Sequence, residues 1–309
     1  MTRAVVAAGY GGPEVLQVLD VDPGVVGPFD VLLDVHAAGV NPADWKSYSG
    51  AWSTDPARLP LRLGFEAAGV VLAHGREVTG VEAGDEVIAY PITGGYAERV
   101  VVPASALVPR PRAMSWEKAA GLMVVGATAV HALTATGVGA GDTLLVHGAS
   151  GGVGAMLVQL ARRRGARVIG TAGPANHAYV TDLGATPVAY GPGLADRVRA
   201  LGPVTAAIDA AGTAEALETS VELVPRRSRI ATLAGHELGA RLGVQLLGGG
   251  KGSDPGTDVR LQAREKLVAL WEAGSLDVRI GATYPLVEAA RAHRAGIDGT
   301  VTGKIVLLA

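Results

Sequence analysis

At 309 residues the chain is long enough for two domains, and with 49% hydrophobic residues it can bury a large core rather than remain disordered. A formal net charge of −2 gives no electrostatic footprint for nucleic acid or an anionic membrane. The absence of cysteine excludes disulfides, thiolate metal ligands and a cysteine nucleophile, and is compatible with the cytoplasm.

Taken in order, Met1 to Val6 does not carry the apolar core of a signal peptide. Residues 1–114 read as a β-rich domain of barrel or sandwich type. Strands are predicted at Val31–Ala37, Gly69–Ala73, Glu86–Tyr90 and Glu98–Val102, separated by turn signals such as Pro23-Gly24, Gly84-Asp85 and Gly94-Gly95. Pro109 and Pro111 close this section, and Ser115 caps a helix. The uncharged stretch Ala119 to Gly141 raises a membrane question. Four glycines and three threonines make it a buried helix ending at Gly137 instead.

From here strands and helices alternate. Strands are predicted at 143–147, 166–171, 187–190, 204–209 and 229–234, with helices at 152–164, 175–183, 194–200 and 214–223, the pattern of a doubly wound parallel sheet. Leu247 to Gly256 reads as a glycine-rich loop. Arg260 to Ala273 and Pro285 to Arg294 read as helices and 303–308 as a closing strand. That tail is too small to bury its own core and is expected to pack back on the first domain.

The chemistry concentrates at Thr143 to Gly165. An apolar strand enters Gly148-Ala149-Ser150-Gly151-Gly152-Val153-Gly154 and leaves as a helix. Gly151 and Gly154 fit the second and third glycines of a dinucleotide fingerprint, and Ala149 stands at the first. Ala149 through Gly154 are therefore the candidate pyrophosphate cradle, with open N–H groups and the positive end of the helix dipole. No carboxylate follows between Val168 and Thr181 to hold a ribose 2′-hydroxyl, which points to NADPH rather than NADH.

Several short segments, in order along essentially the whole chain, resemble the zinc-independent quinone oxidoreductase-like (enoyl reductase-like) branch of the medium-chain dehydrogenase/reductase superfamily. They are Gly39-Val40-Asn41-Pro42-Ala43-Asp44, Gly64 to Val71, Gly84 to Val87, Gly94 to Glu98, Gly148 to Gly154, Leu183-Gly184-Ala185 and Gly303 to Leu307. The resemblance implies a GroES-like β-barrel catalytic domain from residues 1–114 and 259–309, a Rossmann domain from residues 115–258, and an active site in the cleft between them. It also implies a homodimer, with Pro225 to Leu247 supplying a sheet edge.

Zinc relatives carry cysteine and a Gly-His-Glu motif where this chain has Gly64-Phe65-Glu66, so no metal site is expected. By resemblance Asn41 and Thr128 face the nicotinamide, and Thr171, Asn176, His177 and Tyr190 surround the 2′-phosphate. The chemistry that remains is hydride reduction of a quinone or an α,β-unsaturated carbonyl. Lys46, Tyr48 and the Asn41 amide are the candidate donors to the carbonyl oxygen. Trp52 stands where related enoyl reductases carry a tyrosine, leaving Tyr48 as the candidate proton source. Glu66, Asp85 and Lys304 read as structural, and Asp209 as a residue that fixes a loop. The alternatives are a biosynthetic enoyl reductase with a dedicated substrate and a non-catalytic NADPH-binding redox sensor or RNA-binding crystallin-like relative. The lack of a basic, aromatic stripe speaks against RNA. A metal-dependent alcohol dehydrogenase is the third.

Overall fold

The computed structural model describes residues 1–309. Strands β1 (Thr2–Ala7), β2 (Leu16–Val21) and β3 (Asp30–Val40) lead to helix α1 (Pro42–Tyr48). Next come β4 (Leu61–Arg62), β5 (Ala67–His74), β6 (Glu86–Ala89), β7 (Arg99–Pro103) and β8 (Leu107–Pro109). Helix α2 (Trp116–Ala135) precedes β9 (Thr143–His147), α3 (Gly152–Arg163), β10 (Arg167–Thr171), α4 (His177–Asp182), β11 (Thr186–Val188), α5 (Leu194–Arg199) and β12 (Ala206–Asp209). Then follow α6 (Ala214–Leu223), β13 (Ile230–Thr232), α7 (His236–Leu242), β14 (Gln245–Leu246), α8 (Thr257–Glu272), β15 (Ile280–Pro285), α9 (Ala289–Ile297) and β16 (Lys304–Leu308).

The chain divides into two compact units. The first is Met1–Val124, Arg264–Glu272 and Val278–Ala309; the second is Val125–Ala263 with Ala273–Asp277. The sequence places breaks at 114/115 and 258/259, whereas these divisions fall inside α2 and α8, each of which is one continuous helix.

The first unit contains a sheet in the order β15-β16-β3-β5-β6-β8, with β7 also paired to β3, and a smaller sheet β2-β1-β4. Along β3, Val31, Leu33 and Val35 point inward at alternate positions, the period-two pattern of a strand with one face on a core. They join Leu63, Val71, Val100 and Leu307 in one apolar cluster. The closing strand β16 runs antiparallel to β3 with Ile305 opposite Val40, so the two ends of the chain share this core. Residues 42–48 form a helix because Pro42 sits at its first position and the Asp44 carboxylate accepts the N–H of Asn41, the N-cap residue. Strand β15 escapes the sequence reading because its residues alternate between half-buried and exposed. Helix α9 starts later than read, since Leu286–Glu288 form a 3-10 turn after Pro285.

The second unit is a six-stranded parallel sheet in the order β11-β10-β9-β12-β13-β14. Numbered within the unit, this is 3-2-1-4-5-6, the doubly wound order whose switch point lies between its first and fourth strands, β9 and β12. Leu144, Leu145 and Val146 are all fully buried, as expected of a central strand covered on both faces. Helix α2 is long and apolar enough to cross a bilayer by length and composition, yet 72% of its apolar stretch is buried inside the protein.

The turn after β9 depends on one glycine. A Cβ at Gly154 would stand 2.0 Å from the Gly148 carbonyl oxygen and 2.8 Å from the Ala149 Cα, both backbone atoms that cannot swing away. Gly154→Ala must displace α3 from the turn, at a cost of about 1–3 kcal/mol. Calorimetry of the ligand-free protein is expected to show a melting temperature lower by roughly 5 °C. An unchanged melting temperature would contradict this account.

Candidate functional site

In the second unit the glycine turn is held from behind. The Thr171 hydroxyl accepts the Gly148 N–H (3.2 Å) and the Thr171 carbonyl accepts the Ala149 N–H (2.9 Å). The first intrahelical bond of α3 runs from Ala155 N–H to Gly151 O, so the N–H groups of Gly152, Val153 and Gly154 have no carbonyl one turn back. Those open donors, with the helix dipole, form an anion-binding end. Gly151 is exposed and caps the helix at φ −74°, and a Cβ there would meet only the Gly148 oxygen at 3.4 Å. The fold itself does not need a glycine at this position; a ligand approaching the backbone would. Ser150 is half-buried beside it.

Two expected contacts are corrected. Ala149 is fully buried, its N–H is spent on Thr171, and its methyl fills the space left by Gly170, where a Cβ would stand 2.6 Å away. Thr171 is 2% exposed with its hydroxyl on Gly148. Both residues shape the turn instead of touching a cofactor. The other three candidates sit beyond β10. Asn176 and His177 are half-buried, and His177 Nε2–H donates to Ala172 O (3.1 Å). Tyr190 is 63% exposed, and its hydroxyl would lie 3.4 Å from a Cβ on Gly173. Arg197 clasps the carbonyls of Ala189, Gly191 and Pro192 and so fixes the segment that presents Tyr190.

At the switch point Asp209 is fully buried. It accepts the N–H groups of Ala211 (2.9 Å) and Gly212 (2.8 Å) and the Thr232 hydroxyl (2.8 Å), so it shapes loops, as read from the sequence. His147 beside it donates from Nε2 to the Ser220 hydroxyl (3.1 Å), which itself donates to Ala216 O. Burial pushes the His147 imidazole down to about 4, so it is neutral at pH 7. Thr128 lies in α2 at 8% exposure.

The first unit buries a second polar group. The Asn41 side chain donates to Gly39 O (3.2 Å) and Glu66 Oε1 (3.1 Å), and its Oδ1 accepts from Lys304 Nζ (2.5 Å). A primary amide has two N–H donors, and both are spent. The expectation that Asn41 donates to a substrate carbonyl is therefore corrected; only an acceptor lone pair on Oδ1 is left. Asp44 accepts the backbone N–H groups of Asn41 (2.8 Å) and Gly64 (2.9 Å). Burial nevertheless raises the Asp44 carboxyl to about 6, those N–H groups offsetting part of the shift.

Tyr48 is corrected as well. It is fully buried with its hydroxyl 2.7 Å from His293 Nδ1, while the Tyr96 hydroxyl lies 3.1 Å from His293 Nε2 and within hydrogen-bonding reach of Asp44. One assignment satisfies every group: Tyr48 donates to Nδ1, Nε2–H donates to Tyr96, and Tyr96 donates to Asp44. Burial raises the Tyr48 hydroxyl above the usual phenol range. A phenol so placed is a core residue and cannot hand a proton to a substrate. Lys46 is different. It lies half-buried on α1 away from Asp44 and Tyr48, and burial lowers its ammonium from the ordinary value. Trp52 is 40% exposed. The sequence does not mark His293, its contact with Tyr96 or the burial of Lys304. Their partners lie up to 264 residues away, so no local spacing marks them.

Residues 27–112 match the family described as alcohol dehydrogenase GroES-like domain, and residues 180–307 match that described as zinc-binding dehydrogenase. The chain is 34% identical over 330 aligned positions to a quinone oxidoreductase of Pseudomonas aeruginosa, with 100% of each covered. It is 40% identical over 176 residues to the mouse quinone oxidoreductase, where the match covers 56% of this chain and 53% of that protein, about half of each. The structure of Escherichia coli quinone oxidoreductase complexed with NADPH superposes with a TM-score of 0.87 at 26% identity, covering 99% of this chain and 100% of that one.

The buried titratable groups set a pH dependence of stability. His147 and His293, both pushed by burial to about 4, stay neutral in the folded chain while the unfolded chain takes up protons below about 6.5. Stability they confer is complete above that value and is lost as pH falls toward 4. Asp44, raised to about 6, works in the opposite sense, since the folded form takes up its proton first as pH falls. Two imidazoles against one carboxyl leave a net loss of about 3 kcal/mol between pH 6.5 and 4. Urea unfolding across that range is expected to show it, with a shallower dependence in His293→Phe; a flat profile would refute the assignment.

Proposed function

Because the chain belongs to the medium-chain dehydrogenase/reductase superfamily, in its quinone oxidoreductase-like branch, we propose that it is an NADPH-dependent, zinc-independent reductase of quinones or α,β-unsaturated carbonyls. The observation that carries this is the glycine turn at the head of a 3-2-1-4-5-6 sheet, with open N–H groups at Gly152, Val153 and Gly154 and an unforced glycine at 151. The residues fit NADPH. The turn holds the pyrophosphate, and Asn176, His177 and Tyr190 offer polar groups to a 2′-phosphate where no carboxylate would repel it. Bound there, NADPH supplies hydride. Thr128 is assigned to the nicotinamide end.

The residues do not fit zinc, although one matched family is described as zinc-binding. The chain has no cysteine and no group of three or more His, Asp or Glu side chains able to hold a metal. Glu66 is fully engaged by Lys304 (2.9 Å), Asn41 and the Val124 N–H (2.8 Å).

Hydride reduction of a quinone or an enone leaves negative charge on oxygen and requires one proton. Of Asn41, Tyr48 and Lys46, only Lys46 keeps free donors. Its ammonium stabilises the developing oxyanion and supplies the proton, then regains one from solvent. Burial lowers its ionisation toward the working pH, which favours that transfer. The open edge at β14, within Pro225 to Leu247, is the proposed homodimer contact, and the cytoplasm the proposed compartment.

NADPH oxidation is followed with 1,4-benzoquinones and naphthoquinones beside simple enones and enoyl esters, with NADH as control. Turnover with NADPH preferred is expected; which panel responds separates quinone from alkene reduction. Lys46→Met is expected to lower kcat/KM by about 10²-fold. Gly151→Ala should weaken NADPH binding by roughly tenfold with no loss of melting temperature, because it crowds a phosphate and not the fold. NADPH binding without turnover on either panel would make the protein a redox sensor instead.

A further inference from the structure

The first unit buries one carboxylate, one ammonium and one primary amide together. Glu66 is 0%, Asn41 2% and Lys304 3% exposed. An ammonium has three donors, and Lys304 spends them on Val40 O (2.8 Å), Asn41 Oδ1 (2.5 Å) and Glu66 Oε1 (2.9 Å). Glu66 Oε1 accepts from Lys304 and Asn41, and Oε2 accepts the Val124 N–H from within α2. The fold makes room for this set. A Cβ at Gly39 would stand 2.4 Å from Glu66 Oε1, and one at Gly121 3.0 Å from the Lys304 Cγ. The β16–β3 register, with Ile305 opposite Val40, places position 304 across from position 41.

This group holds the start of α1. Asn41 is the residue that caps α1, and its backbone N–H is bound by Asp44, two residues before Lys46. Its side chain is clamped on both faces, oxygen to Lys304 and nitrogen to Glu66. Asp44 fixes the backbone of residue 41, and this pair of charges fixes its side chain; a buried carboxylate without a cation would not remain there.

We infer that Lys304 is a positioning residue: its ammonium supplies the positive charge that Glu66 requires in a site with no metal ligands, and through Asn41 it sets helix α1 and the placement of Lys46. This rests on the reading of Lys46 as the proton-supplying group. Lys304 touches neither substrate nor cofactor in this account. It keeps Lys46 half-buried at the end of a rigid first turn.

The test uses the full chain as Lys304→Met, Glu66→Gln, the pair together, and Lys304→Arg. Lys304→Met alone leaves an unanswered buried charge and is expected to lower the melting temperature by roughly 10 °C. Adding Glu66→Gln should recover most of that loss; no recovery would overturn the charge-pairing half of the inference. The paired variant, folded but with the clamp gone, is then labelled at lysine Cε and titrated by NMR without cofactor. The Lys46 resonance is expected to titrate at higher pH than in the wild type, as a loosened α1 lets water reach it. An identical Lys46 titration in both proteins would overturn the positioning half. In turnover assays the paired variant should bind NADPH within about threefold of wild type and lose at least tenfold in kcat, with Lys304→Arg intermediate. Wild-type kcat in the paired variant would also overturn it. A wild type inactive on every quinone and enone would remove the functional reading, while the melting and NMR results still decide the role of Lys304.

Discussion

A carboxylate cut off from water must have its charge answered inside the fold, and at Glu66 the answer is Lys304. Much of the first unit is arranged around that requirement. Strand β16 must lie against β3 to bring the ammonium in, and Gly39 and Gly121 must lack side chains to leave room. Helix α2 lends the Val124 N–H to the second carboxylate oxygen. The amide of Asn41 is then oriented by charge on both sides. Removing any one of these groups leaves another buried and unsatisfied, which costs more than the pair contributes while intact.

The second unit solves a different problem with hydrogen bonds from side chains to the backbone. Its parallel strands are apolar enough to be covered on both faces, and the polar ends are closed by Asp209, Thr232 and Thr171 accepting backbone N–H groups. Glycine serves two purposes in one heptapeptide. Gly154 lets helix and turn touch, whereas Gly151 leaves the backbone open to solvent. The rigid part of the turn and the ligand-facing part are thus separate residues, which lets the fold hold its shape whether or not an anion is bound.

What could be read from the sequence follows the range of the interactions. Apolar runs such as Leu144 to Val146 and the strand–glycine–helix order are local, so the Rossmann unit was legible nearly element by element. Short strands such as β14, two residues long, carry no period to detect. The helix at Pro42–Tyr48 was hidden because seven residues are too few to show an apolar face. Among the site residues, the glycines were legible because their backbone demands are local. The roles of Tyr48 and Asn41 were not, since their partners, His293 and Lys304, lie 245 and 263 residues along the chain. A tyrosine beside a glycine turn looks the same in sequence whether it faces a substrate or a histidine from the other end of the protein.

The separation of β3 and β16 along the chain has a consequence for how the protein is made. A ribosome delivers Asn41 and Glu66 first, and Lys304 emerges only after the whole of the second unit. The nascent first unit must wait with an uncompensated carboxylate and an unpaired edge on β3. The residues of the second unit emerge in the meantime as one nearly continuous segment, free to fold while the first remains open. Arrival of β16, rather than any local nucleation, is then the event that closes the first unit, and a chain lacking β16 would lose the cation and the strand together.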